Sequence, residues 1–262
     1  EPGTLVMVMG TSGCHMLMSD RESLIPGVAG IVRDGILPGY VGYETGQAAM
    51  GDGFDAIRRL TGKSEFGPLT AAANLIPPGA GGVLALDWFN GCRTPLMDGS
   101  LKGALLGLTL QTTPEQVYRA ALEGSAFGLR WIVDTLREGG VPVERFVATG
   151  GLPSRNPLFA SITASVLGRP VVIHGAEHGP ALGAAILGAL AAGRAAGGYD
   201  NVKEAVSAMA GAKSRVPPAR TVEPERNAAA AYERLYPVYR QLADEMAAPG
   251  SPLRRLEGPR GC

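Results

Sequence analysis

Gly10-Thr11-Ser12-Gly13 directly follows an apolar run, and a glycine turn of this kind presents backbone N–H groups and two hydroxyls, a set of donors suited to phosphate oxygens. An ordinary strand-to-strand turn uses the same residues, so the phosphate reading depends on its surroundings. Gly150-Gly151 poses the same choice between a ligand loop and a turn that needs positive φ. Gly62-Lys63-Ser64 ends like a phosphate-binding Walker loop, but Ile57 stands where the first glycine belongs and Phe66-Gly67-Pro68 follows, so the segment reads as a solvated helix end. His174, Glu177 and His178 spell HxxEH, which on a helix would set two imidazoles on one face for zinc. Gly175 and Gly179-Pro180 interrupt any such helix, so no metal site is expected there. No serine, histidine and acid combination stands out for nucleophilic catalysis.

These residues need elements to hold them. Apolar or alternating runs at Thr4–Met9, His15–Met18 and Val28–Arg33 predict a small antiparallel meander, followed by a helix from about Glu44 to Leu60. Thr113, Pro114 and Gln116 supply an N-cap, a first-turn proline and a capping-box acceptor. The helix they start carries Leu122, Ala126, Leu129, Val133 and Leu136 on one face and stops at Gly139-Gly140. A strand at Arg145–Thr149, a helix from about Pro157 to Leu167 and a strand at Val171–Ile173 form a strand-helix-strand unit. Its first turn falls at the carboxyl edge of a parallel sheet, where open α/β folds bind ligands. Ala181–Ala192 is too short to span a bilayer and reads as a buried helix covering the sheet. A last helix is expected near Pro224–Ala247, giving a domain over residues 1–247 and a mobile tail over 248–262.

Composition narrows the partners. The 24 basic and 24 acidic side chains balance, which leaves no electrostatic footprint for nucleic acid or an anionic membrane. A hydrophobic content of 45% in 262 residues supports a substantial core and a small-molecule partner. Cys14, Cys92 and Cys262 are odd in number and widely spaced, which argues against a disulfide scaffold and fits a reducing cytoplasm. The chain opens on Glu1 with a strand-like run at Thr4, which reads as a cut rather than a natural start.

A resemblance sharpens these choices. Gly103-Ala104-Leu105-Leu106-Gly107-Leu108, then Gln116-Val117 and Ala120-Ala121-Leu122-Glu123 at the matching spacing, resemble the second signature of the FGGY carbohydrate kinases. Gly10-Thr11-Ser12 is similar to that family's second phosphate loop. Thr149-Gly150-Gly151 through Ser154, Asn156 and Pro157 resembles its adenosine loop, and Ala181-Leu182-Gly183-Ala184-Ala185 the helix behind it. Cys14-His15-Met16, Gly42-Tyr43-Glu44-Thr45-Gly46-Gln47 and Leu86-Asp87-Trp88-Phe89-Asn90-Gly91 look like the ribulokinase branch.

The resemblance implies an α/β, actin-like (ribonuclease-H-like) ATPase domain, a mixed sheet flanked by helices, corresponding to the C-terminal half of these kinases. It implies ATP and Mg2+, with Gly10, Thr11 and Ser12 at the β- and γ-phosphates, Gly51 and Asp55 touching the nucleotide, and Gly150, Gly151, Arg155 and Asn156 bordering adenosine. Glu44 falls where the branch meets ketose hydroxyls; its plainer reading is a first-turn helix acid. Arg155 and Cys92 depart from the residues common there. The implied partner is a ketopentose, L-ribulose, in L-arabinose catabolism in the cytoplasm, and a homodimer is admitted. The family's general base, an aspartate in an Asp-Ala-His segment, precedes the phosphate loop and would lie upstream of residue 1. The isolated chain is therefore expected to be inactive. A xylulokinase-like kinase and a non-catalytic actin-fold nucleotide-binding module are the alternatives.

Overall fold

The computed structural model describes residues 1–256 apart from 177, 212, 213 and 215 and the side chain of residue 255. Glu177, Cys262 and the end of the expected 248–262 tail lie outside the described residues.

The first third builds one side of a sheet from β1 (Thr4–Met9), β2 (Gly13–Ser19), β3 (Gly30–Arg33) and β4 (Val41–Gln47). Helices α1 (Gly51–Leu60) and α2 (Phe66–Asn74) follow, then a two-stranded sheet of β5 (Leu84–Leu86) and β6 (Ala104–Leu106). Helix α3 (Pro114–Glu138) leads to β7 (Arg145–Thr149), α4 (Gly151–Arg155), α5 (Pro157–Leu167), β8 (Val171–Ile173) and α6 (Gly179–Ala192). Helix α7 (Val202–Ala210), β9 (Arg220–Val222) and α8 (Arg226–Ala247) complete the domain.

The main sheet has the order β3-β4-β2-β1-β7-β8-β9. β1, β7 and β8 run parallel, while β2, β4, β3 and β9 pair antiparallel with their neighbours. It is the mixed, helix-flanked sheet expected of the fold. Period-two alternation decides which side is core. Leu5, Met7, Met9, Leu17, Tyr43, Phe146, Ala148, Val171 and Ile173 are buried in one core with residues of α3, α5 and α8. On the opposite face Val6, Met16 and Val32 are exposed. An antiparallel sheet tolerates one solvated face, but that face is normally polar, and this one is not.

Local chemistry sets the longest core helix. Thr113 Oγ1 accepts from Gln116 N at 3.3 Å and Gln116 Oε1 accepts from Thr113 N at 2.8 Å, the reciprocal capping box expected, worth about 1 kcal/mol. Gly139 ends α3 as anticipated. Helix α5 begins on the Asn156 cap and ends at Gly168 in the left-handed conformation, φ 60°.

Three expectations fail. The strand at Gly30–Arg33 does not continue a meander from β2, because β4 inserts between them and pairs with both. Residues 44–47 belong to β4, not to a helix that begins at Glu44; the helix starts at Gly51. β4 is paired on both sides, by β2 over Val41–Gln47 and by β3 over Val41–Glu44, and that pairing overrides a stretch whose Gly42 and Gly46 conceal its alternation. Glu44 is therefore no first-turn helix acid. Helix α6 forms over Gly179–Ala192, but among its described residues Ile186 alone is buried, and Leu187 is 58% exposed. Its packing partner among the elements is α7 rather than the sheet. A helix apolar all round needs cover on several sides, and this chain supplies one.

At the other end, Pro252–Arg255 forms a helical turn in which Arg254 Nε donates to Ala247 O at 2.8 Å and the guanidinium pairs with Asp98 at 2.7 Å. This part of the tail is tied to the domain. No helix among the described residues is long and apolar enough to cross a membrane.

Candidate nucleotide site

β1 and β7 are parallel neighbours in register, Val8 opposite Thr149, so the turns that leave them lie side by side at the carboxyl edge of the sheet. The first is Gly10-Thr11-Ser12, exposed at all three positions. The N-terminal N–H groups of the α1 region hold it. Met50 N and Asp52 N donate to Thr11 O at 2.8 and 3.2 Å, and Gly51 N donates to Gly10 O at 3.0 Å. A Cβ on Gly51 would lie 2.7 Å from Gly10 O, so only glycine permits this approach. Helix α1 thus clamps the loop through its carbonyls, and the loop's hydroxyls are left toward solvent.

The second turn is Gly150-Gly151, where Gly150 has φ 99° and a Cβ would stand 2.5 Å from Met9 O. That contact locks the two turns together. Short α4 and the Asn156 cap follow. Asn156 is buried and serves two elements: its Oδ1 accepts from Phe159 N at 3.0 Å to start α5, and its Nδ2 donates to Tyr118 Oη at 3.0 Å. Tyr118 Oη also lies 3.3 Å from Thr70 Oγ1.

Between these turns opens a cleft of about 690 Å³ lined by Gly10, Thr11, Gly51, Phe54, Phe66, Gly67, Thr70, Tyr118, Gly151, Leu152, Arg155 and Asn156. Its size falls within the range of small-molecule sites. One end is the hydroxyl- and amide-rich loop. The other is an aromatic wall in which Phe54 meets Tyr118 edge-on at 6.3 Å between centroids, Phe66 meets Tyr118 at 6.1 Å, and Arg58 lies over the Phe66 ring at 5.3 Å. Phosphate-suited donors at one end and a flat apolar surface with three polar groups at the other match the two ends of a nucleotide.

Six residues expected at a nucleotide site, Gly10, Thr11, Gly51, Gly151, Arg155 and Asn156, line this one cleft. Ser12 and Gly150 belong to the same two turns. Asp55 does not line it; its carboxylate is engaged by Arg58 at 2.7 Å and Arg59 at 3.0 Å, and the Arg58 hydrogen bond holds it below the usual carboxylate range. Glu44 stands apart on β4, paired with Arg93. Lys63, of the Walker-like segment, pairs with Glu115 at 2.8 Å at a helix terminus. His174 follows β8 and His178 is the N-cap residue of α6, so the two imidazoles share no helix face.

Phe54, Phe66, Gly67, Thr70, Tyr118 and Leu152 were not foreseen as site residues. Tyr118 lies inside the stretch that resembles the family signature and Phe66-Gly67 flanks Lys63, but in the sequence neither has a partner that marks it as part of a site. Among the described residues no cluster of three or more His, Cys, Asp or Glu could hold a metal ion. A divalent cation would be held here by nucleotide phosphates with at most one or two carboxylates, the manner in which Mg2+ is usually bound.

A buried polar network lies at the end of β4. His15 Nε2 is 3.2 Å from Gln47 Oε1, and Gln47 Nε2 donates to Asp87 Oδ2 at 2.6 Å and to Ser125 O at 2.8 Å. Tyr239 Oη donates to Asp87 Oδ1 at 3.1 Å. The Gln47 amide uses its nitrogen toward Asp87, so its oxygen must accept from His15, which fixes a neutral imidazole protonated at Nε2. Burial lowers the His15 pKa to about 4 and raises that of Asp87 to about 6.

Comparison with known proteins agrees with this geometry. Residues 5–192 match the C-terminal domain of the FGGY family of carbohydrate kinases. A ribulokinase of Bacillus licheniformis is 41% identical over 269 residues, covering 98% of this chain and 48% of that protein. One of Halalkalibacterium halodurans is 44% identical over 255 residues, covering 93% and 44%. The chain thus spans about half the length of the curated relatives it matches. Among solved structures, a xylulose kinase from Rhodospirillum rubrum superimposes with a TM-score of 0.77 at 26% identity over 94% of this chain and 48% of its own. A gluconate kinase from Lactobacillus acidophilus shares the fold with a TM-score of 0.78 at 22% identity. With two glycine turns locked at one sheet edge, an aromatic-walled cleft between them, and a domain match over most of its length, this chain belongs to the FGGY family of carbohydrate kinases.

Proposed function

We propose that this chain is the nucleotide-holding, C-terminal part of a ribulokinase-like sugar kinase, which transfers the γ-phosphoryl group of Mg-ATP to L-ribulose to give L-ribulose 5-phosphate. The observation that carries the reading is the single cleft that gathers Gly10, Thr11, Gly51, Gly151, Arg155 and Asn156. The base of ATP would lie between Phe66 and Leu152 within reach of Tyr118, Thr70 and Asn156, and the phosphates against Gly10-Thr11-Ser12. Fixed donors at that loop stabilise charge that develops on the transferred group without reorganising. The sequence identity of 41% and 44% to ribulokinases supports a ketopentose acceptor, with Glu44 as the carboxylate that meets its hydroxyls.

In this reading the general base and most of the sugar site belong to the other half of the parent protein. A missing base alone costs about 10²–10⁴ in rate. Loss of the groups that orient the acceptor forfeits much of ~7–11 kcal/mol, so positioning is the larger deficit. Titration of the 262-residue chain with ADP is expected to give weak, saturable binding, and the chain alone is expected not to phosphorylate L-ribulose. A folded chain that binds no nucleotide overturns the assignment of the cleft; turnover by the chain alone overturns the division of labour. When the longer polypeptide is offered L-ribulose, D-xylulose and glycerol, kcat/KM is expected to be highest for L-ribulose, and a preference for D-xylulose would transfer the assignment to the xylulokinase-like alternative.

A further inference from the structure

Glu44 stands on the uncovered face of the sheet, opposite Met16 on β2 and Gly30 on β3. One of its oxygens, Oε1, pairs with the Arg93 guanidinium, and both side chains are partly exposed, 42% and 37%. Arg93 comes from a loop nearly fifty positions along the chain, and that loop is fastened to β4 beside Glu44. Thr94 N donates to Gly46 O at 3.1 Å and Gly46 N donates to Thr94 Oγ1 at 3.2 Å. Cys92 and Asp98 exchange backbone hydrogen bonds at 2.9 and 2.8 Å, Met97 N donates to Arg93 O at 2.8 Å, and Arg254 pairs with Asp98.

Two glycines keep the surroundings clear. A Cβ on Gly46 would lie 2.4 Å from Gly13 O and 3.3 Å from Arg93 Nη1, so glycine is required by the neighbouring strand and also leaves room for the guanidinium. A Cβ on Gly30 would lie 3.5 Å from Glu44 Oε2, so the second carboxylate oxygen faces space that the sheet leaves open. A lone glutamate on a sheet surface samples several rotamers; this one is held from one side by a guanidinium nitrogen of Arg93 and left accessible on the other.

We propose that Arg93 is a positioning residue for sugar recognition, which orients the Glu44 carboxylate so that Oε2 accepts from hydroxyls of a polyol or ketose laid over Gly30. The inference rests on the functional reading above, in which Glu44 meets the acceptor. A carboxylate ordered in advance does not lose its rotamer freedom on binding. Loss of the fork therefore weakens sugar binding and leaves the nucleotide cleft, which neither residue lines, unaffected.

The test has two arms. In the longer polypeptide, Arg93→Met is expected to raise KM for the ketose about tenfold with KM for ATP unchanged, and Arg93→Lys, which keeps the charge but not the planar fork, to fall between it and wild type. In the 262-residue chain, Cys14 reports on the pair directly. It lies opposite Gly46 on the same face, and its thiol, already raised by burial, is pushed further up by Glu44 and down by Arg93. With Cys262 replaced by serine, the alkylation rate of Cys14 against pH is expected to shift upward in Arg93→Met and downward in Glu44→Gln. If the longer protein phosphorylates ketoses and Arg93→Met leaves the ketose KM within about twofold of wild type, the positioning role is overturned while the kinase reading stands. Cys14 profiles that move in neither variant overturn the pair itself. A wild-type protein that phosphorylates no ketose overturns the kinase reading, and this role falls with it.

Discussion

His15 and Asp87 sit two hydrogen bonds apart in a dry core and titrate in opposite senses across nearly the same pH window, which makes the stability of the domain separable by substitution. The folded His15 imidazole has a pKa of about 4 against an ordinary 6.5, because burial disfavours its charged form and Nδ1 has no partner for a second proton. Between those values the unfolded chain binds the proton and the folded chain does not, so this residue's contribution is present above pH 6.5 and lost as pH falls toward 4. Asp87 is the reverse. Its folded pKa of about 6 exceeds the ordinary 3.8, so its contribution is present below pH 3.8 and lost as pH rises through 6. At 1.36 kcal/mol per pH unit, each span amounts to about 3 kcal/mol, and between pH 4 and 6 the two oppose each other. His15→Gln, which can still donate to Gln47, removes one side of the balance. Relative to wild type, its stability is expected to fall by up to ~3 kcal/mol as pH rises from 4 to 6, about 6–12 °C in Tm for a domain of this size. Asp87→Asn should show the opposite relative slope. Thermal or urea unfolding of the three proteins in parallel from pH 4 to 7.5 reads this out, and because every other group is common to all three, the differences isolate the pair. Parallel curves for His15→Gln and wild type across the window would refute the reasoning.

Asn156→Ala is expected to cost about 2 kcal/mol, since it removes both the α5 cap and the donor to Tyr118, whereas Asn156→Asp keeps the cap and loses only the donor; thermal melts should rank them in that order. Gly51→Val drives a side chain against Gly10 O, so ADP affinity measured by titration is expected to fall about tenfold, with a stability cost of ~1–3 kcal/mol. A loss of stability with unchanged affinity would dissociate the clamp from the site. The exposed Val6 and Met16 should make the isolated chain associate as its concentration rises, and Val6→Thr with Met16→Thr should reduce that association in sedimentation velocity.

What could be read from the sequence depended on how locally each feature is determined. The start of α3 was legible because Thr113 and Gln116 satisfy each other within one turn, and the ends of α5 because Asn156 and Gly168 are local punctuation. β4 was not, because what makes it a strand is its two neighbours, and a residue-by-residue view of Gly42-Tyr43-Glu44-Thr45-Gly46 contains little of either. The same division holds in the site. Glycines at positions 10, 51, 150 and 151 could be placed by resemblance, and those at 51 and 150 make close backbone approaches. Phe66 and Thr70 enter only because α2 folds back against Tyr118, a tertiary event with no spacing to betray it. Asp55 marks the converse limit. The sequence predicts its helix, though from Glu44 rather than Gly51, yet which way one carboxylate turns is decided by Arg58 and Arg59, each a turn away on the same helix.

The stretch from Glu44 to Gly51 joins the two halves of the proposed chemistry. Glu44 presents its carboxylate on one face of β4, Gln47 ends the strand in the opposite face with partners on β2, on α3 and at Asp87 just after β5, and Gly51 abuts the phosphate loop. Ala49 and Met50 between them are buried, and Met50 N already donates to Thr11 O. No loose linker intervenes, so the distance from the carboxylate to the loop is fixed by a strand, a tight bend and a helix start. A kinase whose acceptor and donor sites meet across a closing cleft needs this separation constant on each side, because an error of about 1 Å in alignment can cost 10²-fold in rate. The buried Gln47 network then has a purpose beyond stability. It ties the end of β4 to β2 and α3, while the N–H groups at the start of α1 tie the phosphate loop.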